Sequence, residues 1–230
     1  ECKKLRRKAE LENPQTEVNI YEIYDEFQRI TGISTDEKEA LRNLEIAVEK
    51  QVLIPREKMV EIFRYALEQK KRVFLISDMY IPGKIVAEIL TGLGISGYED
   101  LMVSCDYRQA KWNTLFGEFK EKAQGKSYLH IGDNDYIDDE CARNNGLDTF
   151  PIKSAYALMK MSTYGNIEPL LQTINEKSLV GLCISRIFNN PFSMYHSEGR
   201  PKLEKVGDLG YIIAGPLLTV FVLWLIRQVK

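Results

Sequence analysis

The sequence predicts an α/β protein, a parallel β-sheet interleaved with helices and preceded by an all-helical region. Three observations carry this reading. Val73-Phe74-Leu75-Ile76 is a short continuous apolar run, the pattern of a strand buried on both faces of a parallel sheet. Two similar runs, at residues 101–104 and 128–131, come later at intervals that each leave room for a helix. Residues 1–70, in contrast, space their apolar side chains at helical intervals. Strands alternating with helices at this period imply right-handed crossovers.

Along the chain, Val18, Ile20, Tyr21, Ile23, Tyr24, Phe27 and Ile30 recur at helical spacing, and Gly32 ends the run. Ser34-Thr35-Asp36-Glu37 forms a capping box for the next helix, with Leu41, Leu44, Ala47 and Val48 as its apolar face. Pro55 opens a third, with Met59, Val60, Ile62, Phe63, Ala66 and Leu67 as its face. Basic residues among the first twelve are offset by Glu1, Glu10 and Glu12, which reads as a solvated helix face. After each strand a helix is expected, near residues 82–93, 111–123 and 137–144, the last closed by Asn145-Gly146. Residues 149–152 read as a fourth strand, set at an edge by Pro151. Beyond 155, helices are expected near 168–175 and 178–188, then an irregular loop over 189–204. The apolar run at 211–226 holds 16 residues and a Gly215-Pro216 step. A membrane span takes roughly 20 apolar residues, so a buried or docking helix is expected there. The organisation expected is a helical region at 1–70, an α/β region at 71–155 and a helical extension at 156–230.

Composition narrows the function. Hydrophobic residues make up 44% and charged residues 28%, as in a soluble globular protein with a real core. The net charge is −2 with both signs interleaved, so no basic stripe points to nucleic acid. Cys2, Cys105, Cys141 and Cys183 form no C-x-x-C pair and lie away from both histidines. That argues against zinc and disulfides and for free thiols in the cytoplasm. The first residue is not Met, no secretory leader is present, and both ends fall within helical patterns. Both are therefore expected to be cuts in a larger polypeptide.

In open α/β sheets, ligands sit at the carboxyl ends of the strands. There the sequence places Ser77-Asp78 after the first strand and Gly132-Asp133-Asn134-Asp135, with Asp138 beyond, after the third. Lys111 opens the intervening helix, where a bound anion would relieve its conflict with the helix dipole. The Ser77 hydroxyl can donate to a phosphoryl oxygen, although helix capping is the plainer use of such a residue. Gly132 allows close approach of the backbone, and Asp133 faces the crevice. Magnesium takes one or two carboxylates and fills its octahedron with phosphate oxygens and water. Asp138 is placed to reach the same ion or orient its water. His130, inside the strand, is read as structural.

The order Ser77, Lys111, Gly132-Asp133-x-x-x-x-Asp138 resembles the haloacid-dehalogenase (HAD) superfamily, matching its second, third and fourth motifs. Ser77-Asp78-Met79-Tyr80-Ile81-Pro82 and His130-Ile131-Gly132-Asp133-Asn134 are similar to the HAD-type domains attached to bacterial glycosyltransferases and polysaccharide-synthesis proteins. The stretch from Tyr211 to Trp224 also resembles the segment found just after such domains. The resemblance covers residues 16–155 and is thin beyond. It implies a Rossmann-like parallel sheet, with residues 1–70 as a helical cap. It also implies Mg2+-dependent phosphate-ester hydrolysis through an aspartyl-phosphate. Ser77 and Lys111 would grip the phosphoryl group, and Asp133 and Asp138 would serve the metal. The expected substrate is a small phosphorylated compound such as a sugar phosphate. The family's first motif, Asp-x-Asp on a central strand, has no counterpart in the chain. The fragment is therefore expected to be inactive alone, one central strand short, with its partners in flanking domains of the same polypeptide. The alternative is a non-catalytic module that binds a phosphosugar or a partner protein beside a glycosyltransferase. A receiver domain fits less well, because its paired acids should come first. A dinucleotide binder fits less well still, because no G-x-G-x-x-G comes after a strand.

Overall fold

The computed structural model describes residues 2–195, 199–203 and 205–229. Its fold is mixed α/β with short parallel strands. It divides into two compact units. The first comprises the residues before Arg56 together with Val60–Pro151, and the second Arg56–Met59 with the residues after Pro151. Most of the 1–70 region thus belongs to the same unit as the strands.

Helices α1 (Cys2–Leu11), α2 (Ile20–Thr31), α3 (Thr35–Val52) and α4 (Glu57–Glu68) come first. Asn19 caps α2 in a reciprocal box with Glu22, and Ser34 caps α3 in the expected box with Glu37. Ala9, Val18, Ile20, Ile23, Tyr24 and Phe27 form the core of this region. The face expected for α3 is only partly used. Leu41 and Ile46 pack inward, while Leu44 and Val48 stay exposed. Helix α3 turns Glu45 toward α1 and α2, where it accepts from Arg6 Nη2 at 2.6 Å and from the Tyr24 hydroxyl at 2.7 Å.

The strands form two separate parallel pairs. β1 (Phe74–Ser77) runs with β2 (Asp100–Val103), and β3 (Leu129–Gly132) with β4 (Asp148–Pro151). Between them lie α5 (Gly83–Gly92), the single turn α6 (Ser104–Tyr107), α7 (Leu115–Ala123) and a π-helical turn (Asp135–Cys141) that runs into α8 (Ala142–Asn144). Leu115, Phe116 and Phe119 of α7 form the main core with Met102, Cys141, Ala142 and Leu147. Full burial of each large side chain contributes roughly 1.5–3 kcal/mol. The expectation of a first strand buried on both faces is not met. Every residue of β1 is half-buried, whereas Met102 and Val103 of β2 are fully buried. Among the described residues β4 pairs with β3 alone.

In the second unit, α9 (Ala155–Met161) and α10 (Ile174–Ile187) pack Leu158, Met159 and Phe188 together. The helix expected near 168–175 is a 3-10 turn at Glu168–Leu170. The Thr173–Glu176 capping box then starts α10 afresh. The expected loop holds a 3-10 turn at Ser193–Tyr195, and its positions 196–198 and 204 lie outside the described residues. α11 (Val206–Leu209), a π-helical turn (Gly210–Ala214) and α12 (Gly215–Val229) complete the chain. The π turn sits just ahead of Pro216, which has no N–H to donate back along the helix. Together they give an apolar helix, Val206–Gln228, of 23 residues with mean hydropathy 2.2 and no burial. That is long and apolar enough to cross a bilayer, so the length argument drawn from 16 residues does not hold.

Candidate functional site

Lys111 and Asp138 form the centre of the site. The Lys111 ammonium donates to Asp138 Oδ1 at 2.5 Å, with both side chains about nine-tenths buried. Lys111 does not open a helix, as expected, but lies in a run of turns ahead of α7. Helix-dipole repulsion therefore has no part in its placement. What fixes it is a carboxylate on each side. Its backbone N–H donates to Asp78 Oδ1 at 2.9 Å, and its amine reaches Asp138.

Asp138 gathers the loop after β3. Its Oδ2 accepts the backbone N–H groups of Asp133 at 3.1 Å and Asn134 at 3.0 Å. Its Oδ1 also lies 2.9 Å from His130 Nε2, which must carry the proton to donate to a carboxylate. Burial alone would raise the Asp138 pKa, but the hydrogen bonds from His130 and Lys111, with the lysine charge, hold it well below the usual range. Asn134 shapes the turn by accepting from the N–H groups of Tyr136 at 3.1 Å and Ile137 at 2.9 Å. A Cβ on Gly132 would overlap the Asp138 side chain, so close packing requires glycine there.

Asp138, expected to serve a metal, engages the protein's own donors in this structure. An ionised carboxylate offers about four lone-pair directions. Lys111, His130 and two backbone amides take them all. Asp133 differs. It is exposed, and its carboxylate makes no hydrogen bond or ion pair among the described residues. Ser77 ends β1 half-buried, opposite Val103 in β2. It joins the site through its neighbour Asp78 rather than by a contact of its own.

Two residues of the site go beyond the roles expected from sequence. His130, expected to be structural, bonds Asp138 while its ring packs edge-on against Phe116 at 5.0 Å. Asp78 has one oxygen on the Lys111 amide, while the other, Oδ2, is buried without a hydrogen-bond partner. Burial raises the Asp78 pKa, and the Lys111 amide and charge offset only part of that rise.

No family model matches the chain, and no curated protein matches it. The chemistry follows from the site itself. It has one buried cation held by one carboxylate, one open carboxylate at Asp133, one serine at a strand end and one buried carboxylate oxygen without a donor.

The neighbouring loop joins this site to the helical region. The Ile20 N–H donates to the Tyr80 carbonyl at 2.8 Å. The Arg6 guanidinium lies 4.5 Å from the centre of the Tyr80 ring. Arg108, just past α6, grips Glu22 of α2 with two hydrogen bonds, of 2.7 and 2.6 Å. Residues 79–81 thus tie the end of β1 to α1 and α2.

Proposed function

We propose that this chain carries the phosphate-gripping half of a magnesium-dependent, HAD-like phosphoryl hydrolase with a Rossmann-like core, working in the cytoplasm on a small phosphorylated substrate such as a sugar phosphate. The observation that carries the reading is the buried Lys111–Asp138 pair beside the exposed Asp133. A lysine fixed at the carboxyl ends of two parallel strand pairs presents positive charge where a phosphoryl group would dock. Asp138 sets that lysine's position. Ser77 would donate its hydroxyl to a phosphoryl oxygen. Phosphoryl transfer depends mainly on such positioning and charge neutralisation.

The fit to magnesium rests on the donor set. Among the described residues no group of three or more His, Cys, Asp and Glu side chains could hold a metal. Magnesium needs only one or two carboxylates where phosphate and water complete its shell, and Asp133 is open to serve as one. When bound, the ion would neutralise phosphate charge. Asp138 acts beside it by holding the Asp133 and Asn134 amides in place. No nucleophile is assigned within this chain, because its Asp133-Asn134-Asp135 is read as part of the metal-side loop.

One observation favours the non-catalytic alternative, a phosphate-binding module. With the Asp138 carboxylate filled by its own donors, Lys111 and Ser77 would contact an anion without a metal. Titration with inorganic phosphate and Mg2+, monitored by amide NMR, tests both readings. Joint shifts at Ser77, Lys111 and residues 132–134, with the Mg2+ dependence lost in Asp133→Ala, support the hydrolase. Phosphate shifts that ignore Mg2+ support the module. No shifts at these residues sink both.

A further inference from the structure

We infer that the apolar helix Val206–Gln228 crosses a lipid bilayer, with the residues before it in water on one side. The inference rests on that helix alone and stands or falls independently of the phosphoryl reading.

Charge sets the limits of the segment. Leu209 to Ile226 is a run of 18 residues without a charged side chain, bounded by Asp208 and Arg227. As helix it extends about 27 Å, close to the roughly 30 Å of a bilayer's hydrocarbon core.

Its surface is apolar on every side. The seven consecutive residues from Val220 to Ile226, nearly two helical turns, are all apolar, and each is between 40% and 67% exposed. A helix that docks on a protein surface, or pairs with a second copy, buries one stripe and keeps a polar face for water. A helix that lies along a membrane surface needs such a face too. This one has none, so its surroundings must enclose it, and a bilayer does so with a single medium. A protein core could also enclose it, but a core does not require the flanking charges to stand a bilayer's thickness apart.

Polar groups within the run are met internally, as hydrocarbon requires. The Thr219 hydroxyl donates to the Gly215 carbonyl at 2.8 Å. The Gly215 N–H donates to the Gly210 carbonyl in the π turn just ahead of Pro216.

Both ends carry the groups that membrane interfaces favour. Arg186 of α10 lies 3.5 Å from Asp208, so the acid at the entry is paired, and its guanidinium stands 4.2 Å from the centre of the Tyr211 ring. At the other end Trp224 comes three residues before Arg227. Aromatic rings beside basic side chains are the usual anchors of a span.

The test reconstitutes residues 1–230 with vesicles of phosphatidylcholine and phosphatidylglycerol by detergent removal, followed by flotation on a density gradient. The expected result is flotation that survives both a high-salt wash and alkaline carbonate. Leu218 is exposed, so its replacement leaves folding intact. Leu218→Arg should lower partition into the vesicles by about a hundredfold, and Leu218→Phe should leave it unchanged. Depth is read from tryptophan quenching by lipids brominated along the acyl chain, in Trp112→Phe, which leaves Trp224 as the one tryptophan. Bromines near the headgroup should quench Trp224 most. In the triple variant Trp112→Phe, Trp224→Phe, Leu217→Trp, bromines near the chain ends should quench most. No flotation, or flotation stripped by salt, would overturn the inference. A discrete oligomer that does not float would overturn it in favour of self-association. Shallow quenching at both positions would overturn the span in favour of a helix lying on the surface.

Discussion

Asp78, directly after β1, and Asp138, in the turn after β3, are carboxylates that flank the same lysine and sit in opposite electrostatic states. Asp138 has four donors on its two oxygens, and its pKa is depressed. Asp78 has one backbone donor and one buried oxygen with none, and its pKa is raised. The difference lies in the local chain. Gly132 lets Asp138 fold back over its own loop, where backbone amides meet it. The segment after β1 instead runs on through Met79-Tyr80-Ile81 to the helices, and its amides go elsewhere. The Met79 N–H donates to Ser104 Oγ at 3.0 Å and the Gly83 N–H to Asp106 at 2.8 Å. One loop is internally satisfied and builds the site. The other retains an unmet acceptor at its centre.

The largest test of this contrast is removal of Asp138. Asp138→Ala strips the partner from a nearly buried lysine and from two loop amides. Breaking one side of such a pair costs about 3–5 kcal/mol, and urea unfolding should show a loss of that size. A loss below about 1 kcal/mol would mean that Asp138 is not the hub described, because surface pairs give that little.

Gly132→Ala comes next. The added methyl meets the Asp138 side chain, and overpacking of this kind costs about 1–3 kcal/mol. A double-mutant cycle sharpens the attribution. In an Asp138→Gly background the same change should cost about 0.5 kcal/mol or less, because the overlap is gone. An unchanged cost would place the strain elsewhere in the loop.

The contrast also shows how far the sequence could be read. The strands were legible to within a residue, because four-residue apolar runs between helical patterns have few other uses. The pairing of the strands was not, because register and neighbour choice depend on contacts far apart in the chain. Asp133 was legible as a polar residue at a strand end, whereas Lys111 was read as a helix start and lies in turns, and the saturation of Asp138 depends on the fold of a π-helical turn that no periodicity signals. His130 carried a usable signal. It lies two residues before Gly132, so both face the same side of the strand, the side on which Asp138 lies. Counting from Tyr211 cuts the apolar helix short, because the helix begins at Val206.

The smallest expected effect is also the most specific. In Asp78→Asn, the amide oxygen can still accept the Lys111 N–H, and the charge that burial disfavours is gone. Against that, the new NH2 occupies the buried position without an acceptor. Stability at neutral pH should therefore stay within about 1 kcal/mol of the parent, and the distinguishing result is its slope with pH. A carboxyl group whose folded pKa is raised binds more protons in the native state. Its contribution to stability is full below the unfolded value, about 3.9, and is lost as pH rises through the higher folded value. Asp138 contributes in the opposite sense, with stability present above the unfolded value and lost as pH falls through its depressed one. Asp138 is common to both proteins, so the stability of Asp78→Asn minus that of the parent should isolate the Asp78 contribution. That difference should climb as pH increases above about 3.9 and then level off. A flat or falling difference would show that Asp78 ionises freely, and the two loops would then lose their electrostatic contrast.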